Sequence, residues 1–306
     1  MSKPPRDNVP TSPALQLIDA FDTWYAALEE RHFARLTFSE VRRALQALSG
    51  LYVERRRRMR PGSPFDSAGK RAAFALFYGP LHFLQVRHLI RALGVCPGNY
   101  KRRGHGACAA ADEQPAQIVD LGCGTGAAGA AWAVEMGGRS RIVGLDRNTW
   151  AVQEARWTYR VLGLKGQARR EELDRARLRQ KDSAIIAAFS INELAAETRS
   201  RMLCTLLSAA RTGSVVLIIE PIAHRITPWW NEWADAFIKA GGRADDWRFA
   251  GDLPERLRLM DRSAGLDHTC LTCRSLWLRA ASPRTSGGAG ETRVECRMSS
   301  AEGVIQ

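Results

Sequence analysis

At 306 residues, with 45% hydrophobic and 25% charged side chains, the chain has the composition of an ordinary soluble protein and the length of one large or two modest domains. No apolar run approaches the ~20 residues of a membrane span. Seven cysteines at irregular spacing argue against a disulfide framework. The first residues lack the apolar core of a secretory signal, so a cytoplasmic location is the expectation. The formal charge is +13, and residues 1–94 hold 15 Lys and Arg against 8 Asp and Glu, a net +7. Such a basic front suits an anionic partner, because Lys and Arg gain affinity for phosphate by releasing counterions.

In chain order, residues 1–13 are proline-rich and read as a disordered leader. Leu15, Ile18, Phe21, Tyr25 and Leu28 recur at helical spacing. Thr37-Phe38-Ser39-Glu40 is a capping box that starts a second helix, with Val41, Leu45, Leu48 and Tyr52 on one face. That helix runs into Arg55, Arg56, Arg57 and Arg58, the densest charge in the chain and the candidate contact for RNA. Ser67 can cap a third helix through Phe74 and Phe77, and Gly79-Pro80 reads as a break before a fourth. Residues 14–94 thus form a helical module, and residues 95–115, aperiodic and containing Lys101-Arg102-Arg103, a linker.

Ile118-Val119-Asp120-Leu121 reads as a buried strand running into Gly122-Cys123-Gly124-Thr125-Gly126, with a helix from Ala127. Gly122-x-Gly124-x-x-Ala127 would also satisfy a loose dinucleotide fingerprint. Two acids favour another ligand. Asp120 stands just ahead of the loop, where a carboxylate suits a cationic amine better than a pyrophosphate. Asp146 ends the next apolar run, Ile142-Val143-Gly144-Leu145, where it can accept hydrogen bonds from ribose hydroxyls. Together they describe an adenosine ligand with an amino-acid arm. The stretch resembles the first motif of the class I S-adenosylmethionine-dependent methyltransferases, and the resemblance spans residues 116–280. It implies an α/β fold, a Rossmann-like doubly wound sheet beside the N-terminal helices, with S-adenosyl-L-methionine as cofactor.

Strands then alternate with helices, the pattern of a parallel sheet. Asn148 can cap a helix to about Leu162; a strand over 167–170 is followed by Glu171-Glu172 and an arginine-rich helix. Strands over 184–189 and 215–219 flank a helix from Asn192 to Arg211. A helix from Thr227-Pro228 carries Trp229, Trp230 and Trp233, whose faces could stack a planar acceptor. Residues 268–278 read as a closing strand paired antiparallel with an earlier one, and 281–306 as a disordered tail. Cys270-Leu271-Thr272-Cys273 with His268 is the one metal-like spacing. A single pair with no partner pair reads as strand packing, and no metal is expected.

Ligands in such sheets sit at the carboxyl ends of the strands. By resemblance, Asp120, Gly122, Gly124, Thr125 and Gly126 hold the methionine arm, and Asp146 with Arg147 the ribose. Glu171 or Glu172 faces the adenine amino group, while Phe189 or Ser190 lines the ring. An acceptor that must lose a proton would find bases in Glu193, Glu220 and His224. The fourth strand lacks the Asn/Asp-Pro-Pro-aromatic sequence common in transfer to base or amide nitrogens; Ser190-Ile191-Asn192-Glu193-Leu194 stands there.

Leu48-Ser49-Gly50-Leu51-Tyr52, Ala68-Gly69-Lys70-Arg71-Ala72-Ala73-Phe74-Ala75, Asn192-Glu193-Leu194 and Glu220-Pro221 also resemble, in order, elements of the methyltransferase-like family associated with assembly of the mitochondrial small ribosomal subunit. That resemblance implies ribosomal RNA as partner and a fold kept with or without activity. The family's cysteines after the fifth strand have no counterpart in residues 241–252. The expected function is therefore methyl transfer to RNA or a small molecule, with a non-enzymatic RNA-binding assembly factor as the alternative.

Overall fold

The computed structural model describes residues 13–54, 65–95, 115–176, 178, 183–223 and 227–279, with side chains left out at 13–19 and 51–54. Arg55 to Arg58, the linker's Lys101 to Arg103, Cys96, Cys108 and His224 lie outside the described residues, as do the tail and all of the leader but Pro13, which opens the first helix.

Helices α1 (Pro13–Phe33) and α2 (Phe38–Glu54) open the chain. The capping box is present: the Thr37 amide donates to Glu40 Oε2 at 2.7 Å, and the Glu40 amide to Thr37 Oγ1 at 3.3 Å. Ser67 caps α3 (Ala68–Ala73) by accepting from the Lys70 amide at 3.2 Å. Gly79-Pro80 makes no break. A π-turn at Phe74–Tyr78 joins α3 directly to α4 (Gly79–Ala92), and the Gly79 amide donates to the Phe74 carbonyl. Widening the helix there accommodates Pro80, which has no amide to give a regular helix and whose ring would crowd the preceding turn.

A seven-stranded sheet follows in the order β3-β2-β1-β4-β5-β7-β6. Its strands are β1 (Gln117–Leu121), β2 (Arg141–Asp146), β3 (Gly166–Arg170), β4 (Ser183–Ala188), β5 (Val215–Glu220), β6 (Arg243–Ala250) and β7 (Cys270–Arg279). The first five are parallel, with Ile118 opposite Ile142 and Ala184. β7 runs antiparallel to β5, as the closing strand was expected to do, and β6 pairs antiparallel with β7. Between them come α5 (Ala127–Glu135), α6 (Thr149–Val161), α7 (Ala196–Arg211), α8 (Trp230–Lys239) and α9 (Glu255–Ser263). Asn148 caps α6 through the Ala151 amide at 3.1 Å. The order reverses between β1 and β4, which places the loops after those strands beside each other at the carboxyl edge.

Three expectations need correction. The arginine-rich helix after Glu172 is, in the described residues, only a 3-10 turn at Leu173–Arg175. The helix expected from Asn192 starts at Ala196, behind a 3-10 turn at Ile191–Glu193, because the Ile191 and Asn192 amides are drawn to Glu220. Trp229, Trp230 and Trp233 are buried with Phe237 in the core beneath α7 and α8, so they form no platform for an acceptor.

The N-terminal helices share their core with the sheet domain. Trp24, Phe77, Phe83 and Ile90 belong to the same apolar cluster as Ala130, Trp132 and Tyr159. Five of the nine residues of α5 are alanine and one is glycine, and all nine are buried, which lets α4 pack closely against it. Ion pairs fix the seam: Arg91 Nε and Nη2 bond both oxygens of buried Glu135 at 2.8 and 2.9 Å, while Arg31 and His32 each reach buried Glu154 at 3.1 Å.

Candidate active site

The loop after β1 is held in a conformation that needs its glycines. Gly122, Gly124 and Gly126 have φ of +69°, +52° and +79°. A Cβ on Gly122 would sit 2.4 Å from Ser190 Cβ, and one on Gly126 2.8 Å from the Tyr159 ring. The Gly122 and Cys123 amides both donate to the Leu145 carbonyl, at 2.8 and 3.0 Å, and tie the loop to the end of β2. From the β4 side, Ser190 Oγ donates to the Leu121 carbonyl at 2.7 Å.

The two acids divide their work. Asp146 Oδ2 accepts from the Gly124 amide at 2.9 Å and Oδ1 from the Asn148 amide at 2.8 Å, and its side chain stays partly exposed beside the loop. Burial raises its carboxyl above the usual range against the pull of those two amides, and Glu172 adds to the rise. Glu172 itself is exposed. Asp120 is placed differently from the expectation. It is 1% exposed, and its Oδ2 accepts from the Gly129 amide of α5 at 2.8 Å while Oδ1 is enclosed without a partner. Burial pushes its carboxyl up to about 7. A carboxylate so enclosed supports the loop and α5 from beneath and presents no lone pair to an amine at the surface. Thr125 is likewise covered, by the start of α4 at Gly79.

Arg147 and Glu193 stand at the ends of β2 and β4, both exposed, with 3.7 Å between guanidinium and carboxylate. Glu220 cannot serve as a base in this arrangement. It is fully buried, Oε1 accepts from the Ile191 and Asn192 amides at 2.9 and 3.1 Å, and Oε2 accepts from Asn192 Nδ2. It is a positioning residue that shapes the turn after β4. Of the three expected bases only Glu193 therefore reaches the surface among the described residues.

Sequence reasoning missed a wall of rings over the loop. Phe74 lies 3.7 Å from the point where a Gly124 Cβ would be. Its ring is 5.7 Å from Tyr78 and 6.2 Å from His82, and the His82 imidazole stacks on Phe189 at 4.2 Å and 21°. Phe189 has φ +60°, the only non-glycine with positive φ among the described residues. Such backbone strain persists where its surroundings over-determine it, and it gathers at functional sites. The signal was present in the spacing 74, 78, 82. A helix assumed to break at Gly79 concealed it.

Cys273 is buried, its thiol pushed up to about 12 by burial, and Cys270 is exposed. No group of three or more His, Cys, Asp or Glu able to hold a metal occurs among the described residues. A groove of about 180 Å³ runs along one face of β1 to β4, lined by Gln117, Val119, Val143, Leu145, Gln167 and Ile185.

Residues 112–225 match a family model described as a methyltransferase domain. No curated protein matches the chain. Solved structures with a similar fold include an S-adenosylmethionine-dependent methyltransferase from Aquifex aeolicus, 17% identical over 54% of this chain and 82% of its own, TM-score 0.38. They also include an O-methyltransferase family protein from Burkholderia thailandensis, 12% identical over 80% of this chain and 73% of its own, TM-score 0.47. At those identities the likeness is one of fold alone. The strand order is that of a Rossmann-like α/β fold, and the segment that matches the methyltransferase-domain model lies within it. The glycine cradle with Asp146 beside it fits S-adenosylmethionine.

Proposed function

We propose that this chain transfers a methyl group from S-adenosylmethionine to an acceptor that enters between the α3–α4 helices and the turn after β4. One observation carries the reading: the glycine cradle and the Asp146 carboxylate lie at the point where strand order reverses, with the ring-lined face of α3–α4 beside them. When bound, the cofactor supplies a methyl group already activated on a sulfonium. The chain's own task is then to bind, align and keep water out. Gly122, Gly124 and Gly126 let the backbone approach the amino-acid arm. Asp146 offers carboxylate lone pairs to ribose hydroxyls, with Arg147 and Glu172 at the rim and Ser190 fixing the β4 side. Glu220 holds the turn that carries Asn192 and Glu193. Incubating the full chain with methyl-labelled cofactor and separate RNA, protein and metabolite pools tests the proposal. Label entering one pool names the acceptor class, and label entering none contradicts transfer.

A second reading keeps the fold as a scaffold for binding RNA in a ribosome-assembly role. The charge of +13 supports it, as does the meeting of two elements of the ribosomal resemblance, since Glu220 accepts from Asn192. On this reading Arg55 to Arg58 contribute phosphate contacts, and RNA affinity falls steeply between 50 and 200 mM salt, by roughly 10³-fold or more for six or more contacts. Affinity that is weak and indifferent to salt removes that support.

A further inference from the structure

We infer that Phe74, Tyr78, His82 and Phe189 form the acceptor wall, that the wall takes a planar ring bearing an ionisable O–H or N–H, and that His82 receives its proton. The inference rests on the methyltransferase reading and deepens it. Four rings converge where the π-turn and the start of α4 meet the residue after β4: Phe74 and Tyr78 are 5.7 Å apart, Tyr78 and His82 6.4 Å, and His82 and Phe189 4.2 Å. The π-turn at Phe74–Tyr78 brings residues 74 and 82, eight positions apart, to a ring distance of 6.2 Å. The positive φ of Phe189 turns the chain just after β4, where its ring meets the imidazole. Aromatic faces hold planar ligands by stacking.

The protonic part follows by comparing the available groups. Glu220 is enclosed with hydrogen bonds to both oxygens, and Glu193 is paired with Arg147. His82 is half-buried within the ring cluster, and imidazole is the side chain suited to taking a proton near neutral pH. In the step, the acceptor oxygen or nitrogen forms a bond to the methyl carbon as the carbon–sulfur bond breaks. That electron pair stays on sulfur, which becomes a neutral thioether. The acceptor's proton passes to the His82 imidazole and from there to water.

The test uses the full chain, with S-adenosylhomocysteine as cofactor probe and two ring probes, catechol for a free small molecule and a single-stranded uridine decamer for a nucleobase. Calorimetry comes first. Wild type should bind S-adenosylhomocysteine, and His82→Phe should bind it within about twofold. No binding by folded wild type defeats the methyltransferase reading itself. A loss of about tenfold or more in His82→Phe assigns the wall to the cofactor and overturns the inference. Saturation-transfer NMR on the loaded protein should then show contact to the ring of one probe, weakened in Tyr78→Ala; no contact with either at about 1 mM overturns it. The His82 imidazole signals, identified by their absence in His82→Phe, should move on adding that probe, and unmoved signals refute the proton-accepting role. Methyl transfer to the probe should fall about 100-fold in His82→Phe with ring contact retained, and an undiminished rate refutes the role. His82→Gln replaces His82→Phe should the latter fail to fold.

Discussion

Asp120 and Asp146 share a residue type, and both lie at or near the carboxyl end of a strand, yet their surroundings give them different work. Asp146 is partly exposed and has two backbone amides on it, whereas Asp120 has one amide and an enclosed second oxygen. With its folded pKa pushed up to about 7, Asp120 favours the folded state most below its unfolded value of about 3.9. That contribution is lost as pH rises through about 7, because the folded state binds the extra proton in that window. Asp120→Asn keeps an acceptor for the Gly129 amide and removes the charge. Its melting temperature relative to wild type should therefore rise between pH 5 and pH 8, as scanning fluorimetry would show. An unchanged difference across that range would mean that Asp120 is not the buried carboxyl described.

The seam between α4 and α5 makes the helical module part of the domain that carries the site. Arg91→Met leaves Glu135, with 2% of its side chain exposed, without its bidentate partner. The cost should be about 2 kcal/mol, below the ~3–5 kcal/mol of a fully enclosed pair because 45% of the Arg91 side chain is exposed. Adding Glu135→Gln should recover part of that loss in denaturant melts, and simple additivity would deny the coupling. At this scale much was legible in the sequence. The capping box at Thr37, the Ser67 and Asn148 caps and the five parallel strands each left a local mark in residue type or apolar period. What was hidden depended on tertiary context. β6 reads Arg243-Ala244-Asp245-Asp246-Trp247, an edge strand whose charges suit an unpaired edge but disguise it as a loop. The π-turn could not be read because glycine followed by proline ordinarily ends a helix. In the site, the glycines and Asp146 were legible from spacing. The enclosure of Asp120 and Glu220 was not, since burial is decided by α5 and by the turn after β4.

Across the whole molecule, the N-terminal helices, the sheet and the glycine loop depend on one another: Gly79 covers Thr125, Phe74 covers Gly124, and Gln85 reaches the Thr272 carbonyl of β7 at 3.5 Å. No helix among the described residues is long and apolar enough to cross a membrane. On the proposed function, this arrangement binds S-adenosylmethionine at the loop after β1. Calorimetry of the full chain, with folding verified by circular dichroism, tests it most directly when wild type is set beside Gly122→Ala, whose new Cβ would meet Ser190 at 2.4 Å. Wild type should give saturable, one-to-one heat, and the folded variant should lose it. Folded wild type giving no heat, or a folded Gly122→Ala binding as tightly, would contradict it.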